Sequence, residues 1–215
     1  MTLLIDLFGY LSIVLHGLTV TAQSMALGAV LFLALLARPL APALGAPAGP
    51  ILDGTVRIAA WSALALVVCE AVTVAMQTAV LVGTVDLPVS DVLQAGFAVS
   101  GMVKAVAAAL MLLVLLRGRR ASLALLLVLL VIELGAATLT THAAARLDNR
   151  VPLLVVEFLH QFGAAIWIGG IPCFVLALAR SGDGAAWRLI GARFSRMSMA
   201  GVACIVVSGI TMCVA

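Results

Sequence analysis

The stretch LHQFGAAIWIGGIPCFVLALAR, Leu159 to Arg180, decides how this chain is read. It is an apolar run that opens on a histidine, carries Trp-Ile-Gly-Gly in its middle and stops at an arginine. A second run of the same design lies near the N-terminus, LHGLTVTAQSMALGAVLFLALLAR, Leu15 to Arg38. Both begin Leu-His, and FLALLAR (Phe32 to Arg38) answers FVLALAR (Phe174 to Arg180). The segments downstream of the two runs are also alike, since Arg57 leads to VVCEAVTV as Arg196 leads to VVSGITM with one residue dropped. Two helix pairs therefore read as copies of one pair, and a site shared by the copies is where function is to be sought.

Composition fixes the class. The chain of 215 residues is 65% hydrophobic and 10% charged, with a mean hydropathy of +1.28. Soluble domains are about 45–50% apolar and about 25% charged. An all-α, polytopic transmembrane helix bundle forming a single domain is the expectation. The net charge of +3 resides mostly in short loops between apolar runs, a topology signal rather than a nucleic-acid patch. MTLLIDLFGY has no basic leader and carries Asp6, so no cleaved signal peptide is read there. The cysteines Cys69, Cys173, Cys204 and Cys213 form no CxxC pair and no disulfide framework.

A spanning helix needs about 20 mostly apolar residues. Six segments qualify, at roughly 10–37, 55–83, 94–116, 121–145, 152–179 and 194–214. The Pro/Gly/Ala-rich link 38–54 reads as a loop. Ser181 to Arg196 reads as a basic loop with an interfacial helix near Trp187. In a six-helix arrangement Arg38, Arg57, Arg117, Arg119, Arg120, Arg180, Arg188, Arg193 and Arg196 fall on one side, against Arg146 and Arg150 on the other. The positive-inside rule then places both termini outside, the periplasm in a bacterium.

Heights above the inner arginines follow from a rise of about 1.5 Å per residue. His16, His142 and His160 come out roughly 30–33 Å up, on three different helices. Glu157 precedes His160 by three residues and shares its face. Met76 and Met212 lie roughly 24–29 Å up, just below the histidines. Imidazole, carboxylate and thioether at one level suit a metal-handling mouth, with thioethers favouring Cu(I). The plainer readings are interfacial histidines and packing methionines. Deeper lie Glu70, Lys104 and Glu133, each of which should face the bundle interior, with Lys104 pairing to one of the two carboxylates. Gly169, Gly170 and Pro172 suggest a close backbone approach or a kink. Trp167, seven residues after His160, either packs on a neighbour or floors a pocket beneath that histidine.

These residues resemble the copper-resistance protein D (CopD, PcoD-like) family of bacterial inner-membrane proteins. Its His-x6-Trp-x-Gly-Gly pattern lands on His160, Trp167, Gly169 and Gly170, and its Arg-Phe-Ser on Arg193, Phe194 and Ser195. The sharp resemblance covers roughly residues 150–215. It implies copper transport, uptake or resistance, with the copper ion as cargo and a periplasmic copper-binding protein as candidate partner. Members commonly have eight spanning helices, so either this sequence stops short of the natural C-terminus or it is a shortened member. A nucleotide-binding motif is lacking and no enzyme is expected. The competing readings are a b-type haem electron-transfer subunit using paired histidines such as His16 and His160, and an accessory subunit that ligates nothing. The haem ligands of such subunits lie within the bundle, whereas these histidines sit high.

Overall fold

Backbone polar groups in lipid have no water to bond, so an apolar chain must satisfy them within helices or closed barrels. A computed structural model describes residues 2–85, 87–141, 148–182 and 184–214, with side chains from residue 7 onward. All its regular structure among these residues is helical. Helix α1 (Thr2–Phe32) passes through a π-helical turn (Leu33–Ala37) into α2 (Arg38–Leu44). Then come α3 (Ala48–Val85), the short α4 (Val89–Leu93), α5 (Gly96–Leu115), a 3₁₀ turn (Gly118–Arg120) and α6 (Leu123–Thr138). The chain ends with α7 (Arg150–Ala164), a second π turn (Ala165–Gly169), α8 (Ile171–Ser181) and α9 (Gly184–Val214).

Among the described residues, five stretches are long and apolar enough to cross a membrane: Leu7–Leu44, Ala48–Val85, Gly96–Leu115, Arg150–Ser181 and Gly184–Val214. Helix α6 is equally apolar but has 16 described residues, short of the usual spanning length. The rest of the expected fourth span lies partly among residues 142–147, outside those described. The protein is a multi-pass membrane protein built as a helical bundle.

Two expected loops are helical instead. Of the link 38–54, only residues 45–47 stand outside helix. Alanine is the strongest helix former, and the π turn ahead of Pro39 takes up the bond its missing N–H cannot make, so the chain runs on as helix through α2. The turn is made by Gly45 at φ 62°, a conformation open to glycine. Likewise Gly182, at φ 70°, ends α8, and α9 begins at Gly184 and runs on without a loop through Arg196. Its first turns are held by packing, since Ile190 is fully buried and Phe194 stacks on Phe174 with centroids 4.2 Å apart.

The first span is the centre of the bundle. Two thirds of its apolar window is buried (67%), against 11% for the last span, which lies at the periphery. What allows α1 to sit there is glycine. A Cβ on Gly169 would fall on the Ser24 carbonyl, and one on Gly28 would fall on the backbone of Ala165 and Gly169. Helix α1 and the second π turn therefore touch backbone to backbone. The same device joins α7 to α9, where a Cβ on Gly163 would lie 2.6 Å from the Gly201 carbonyl. Small residues at such crossings are how helices associate in lipid, where burial of apolar surface gives no drive.

Arg38 and Arg119 meet at one end of the bundle. Arg38 donates to the carbonyls of Arg119 and Ala121 at 3.1 and 2.6 Å. Arg119 in turn makes a bidentate pair with Asp53 at 2.6 and 2.5 Å. That hydrogen-bonded carboxylate raises the pKa of the Arg119 guanidinium. The pair is exposed, so its worth is in tying α3 to the α5–α6 turn rather than in stability.

A cavity between α1, α3, α5 and α7 as candidate functional site

A cavity of about 960 Å³ opens between α1, α3, α5 and α7. Along α1 its wall runs from Ser12 to Leu27 at helical spacing, through His16, Thr19 and Gln23. Fifteen residues of helix correspond to about 22 Å, so the cavity reaches well down the bundle. His16, Met76, Glu157, His160 and Met212 all line it. His142 lies outside the described residues.

His160 is half-buried, and its Nδ1 lies 3.1 Å from Ser208 Oγ on α9. The Ser208 hydroxyl has one proton, and its donor reach is to the carbonyls of Cys204 at 2.5 Å and Ile205 at 3.1 Å. With that proton on either carbonyl, its oxygen accepts from Nδ1–H, which is the tautomer assigned here from the partners. Nε2 is left with its lone pair free. A ligating histidine is commonly oriented in this way, through its second nitrogen.

Glu157 is held from the other side. Gln161 Nε2 donates to Glu157 Oε1 at 2.8 Å, one turn away on α7. Gln23 Nε2 on α1 donates to Gln161 Oε1 at 3.0 Å. This amide relay ties α1 to α7 and fixes one carboxylate oxygen. Neither glutamine nor Ser208 is among the ligand candidates read from sequence. The signal for them was nonetheless present, since Gln161 follows the histidine in the opening stretch and polar residues inside apolar helices are few.

Deeper, Lys104 Nζ on α5 and Glu70 Oε1 on α3 form an ion pair at 2.6 Å, and both residues line the cavity. Glu70 is 1% and Lys104 9% exposed. Of the two partners that the sequence allowed Lys104, the structure pairs it with Glu70. Losing one member of such a pair strands the other charge, at about 3–5 kcal/mol.

Other expectations are corrected. Trp167 does not floor the cavity. It is 41% exposed and absent from the lining. Seven residues make two turns of α-helix, but the π turn over Ala165–Gly169 inserts about one extra residue and rotates Trp167 off the histidine face. Pro172 lies three residues beyond that turn, as Pro39 lies two beyond the first one, and a proline's missing N–H accounts for both interruptions. In Arg193-Phe194-Ser195 only the phenylalanine is buried. It packs between Phe32 and Phe174, so the triplet serves packing here, with its polar members turned outward. Among the described residues no three of the His, Cys, Asp and Glu side chains lie close enough together to hold a metal ion. The ligand candidates surround a wide cavity instead of meeting at one point.

Comparison with family models, with curated proteins and with solved structures finds no match for this chain.

Proposed function

We propose that this protein is a copper-handling membrane protein of the copper-resistance D type, in which copper enters the cavity at its histidine end. The observation that carries the reading is the common lining. Five residues chosen as copper donors by residue type and height, His16, Met76, Glu157, His160 and Met212, belong to the wall of one cavity. The seating of His160 adds to it, with Nδ1 held against Ser208 Oγ. Donors spread around a wide space suit a cargo that must leave again, since passage requires binding weak and multi-sited enough to release. Thioethers and imidazoles together favour Cu(I). The fold reading that accompanies this is six spans in a bacterial inner membrane, the N-terminus periplasmic, and the first helix pair repeated as the last. The repeat is supported by the matched π turns ahead of Pro39 and Pro172.

The test is metal analysis of purified protein with its absorption spectrum. Wild-type protein should retain copper, and His160→Ala should retain several-fold less while eluting as the same folded species. Retention should also fall in acid, because a ligating imidazole must be unprotonated. Equal copper in the two proteins, or none in either, defeats the reading. A Soret band lost with His16 or His160 would put the haem reading in its place.

A further inference from the structure

Glu133 on α6 is 0% exposed, and neither of its carboxyl oxygens has a hydrogen-bond partner among the described residues. Such groups are rare, and each needs a reason. An ionised, unpaired carboxylate at this depth is too costly to persist, so the group is held as the neutral acid. Ala137, one turn further along α6, lines the cavity, which gives the carboxyl a short route to it. Lys104 stands at the level of Glu133, since Ser100, one turn before Lys104 on α5, donates to the carbonyl of Ala136, one turn after Glu133 on the antiparallel α6, and Glu70 reaches the same lysine from α3. Helices α1 and α7 also pack on α6; of the titratable side chains described on them, His16, Glu157 and His160 line the cavity, and Tyr10 and Arg150 do not. The buried cluster thus holds two carboxyls and one ammonium, and the ammonium can neutralise one carboxylate at a time.

We propose that Glu133 is the proton site of a cation–proton exchange, with Lys104 as a counter-ion shared between two carboxyls. The ammonium pairs with Glu70 in the arrangement seen here and turns to Glu133 when a cation lies against Glu70. The inference rests on the reading that the cavity admits cations, and it adds what such entry is coupled to. The step balances one for one. A monovalent cation replaces the Lys104 ammonium beside the Glu70 carboxylate. The Glu133 O–H bond breaks, its electron pair stays on the carboxylate now facing Lys104, and the proton leaves into the cavity past Ala137. The cluster's total charge is the same before and after, which is what allows the exchange to occur in a low-dielectric interior.

Infrared spectroscopy of the purified full-length protein tests the counter-ion without any cargo. At neutral pH the wild-type protein should show a carboxylic-acid C=O band that disappears in Glu133→Gln. In Glu70→Gln, Lys104 has only Glu133 to pair with, so the same band should disappear although Glu133 is intact. A band that persists in Glu70→Gln, or is missing from the wild type, overturns the proposal. Should Glu70→Gln fail to fold, Lys104→Met serves: both carboxyls should then be protonated and the band should double. A band that stays single overturns it. In proteoliposomes given Cu(I), proton release should accompany copper uptake by the wild type and fall to background in Glu133→Gln, whose copper retention at the histidine end stays normal. Unchanged proton release in that variant overturns the coupling. If the wild type retains no copper, the copper reading falls, and the Glu70→Gln band still decides whether the counter-ion is shared.

Discussion

At the scale of single residues, the cavity wall differs from a row of interfacial histidines in what stands behind each polar group. His160 has Ser208 on its Nδ1, and Glu157 has Gln161 and, through it, Gln23. Outer partners of this kind are worth about 10–100-fold in metal affinity. Ser208→Ala should therefore weaken Cu(I) binding about tenfold or more in competition with a chelator, although Ser208 is no ligand. An unchanged affinity would mean that His160 is not a donor, or that its ring is fixed by packing alone. That His16, Met76, Glu157, His160 and Met212 share one cavity was legible in the sequence because the helical rise is constant, so height follows from counting. Their partners were not, because which polar residue on one helix meets which on another depends on rotation and crossing. The same limit left Lys104 with two possible carboxylates until the packing of α3 on α5 chose Glu70.

At the scale of elements, the π turns explain both a success and a failure of reading. Gly169 was expected at a close approach, and it is there because a residue with no Cβ leaves room for the Ser24 carbonyl. Trp167 was expected beneath His160 and faces outward, because periodicity arguments assume 3.6 residues per turn and the π turn breaks that count. The misplaced loops have a similar origin. Prolines and glycines punctuate a sequence, but a π turn can absorb a proline and let the helix continue, and one glycine of positive φ is enough to end it. Gly169→Ala should separate α1 from the second π turn. Its Cβ would meet backbone, which cannot rotate aside, so the cost should reach or exceed the about 1–3 kcal/mol typical of overpacking. Thermal unfolding in detergent should show a clear fall in Tm, whereas Gly191→Ala, at a site with open space, should leave it unchanged. Equal melting of both variants would show that the crossing tolerates a methyl group.

At the scale of the whole molecule, the two ends of the bundle differ in kind. One end gathers Arg38, Arg119 and Asp53 in a network joining α2, α3 and the α5–α6 turn. The other carries the histidine end of the cavity, with His16 in the first half of α1. Helix direction enforces this separation, since α1 runs from His16 towards Arg38 while α3 runs from Asp53 towards Met76. Basic residues resist translocation and are retained on the cytoplasmic side, where the anionic leaflet also attracts them at about 1 kcal/mol per charge near the surface. The arginine end should therefore be cytoplasmic and the histidine end periplasmic. Reporter fusions check this directly. A fusion at Gly118, within the arginine network, should behave as cytoplasmic, and one at Pro88, beyond the far end of α3, as periplasmic. The reverse pattern would turn the cavity mouth towards the cytoplasm, and would change the proposed path from uptake to release while leaving the donors where they are.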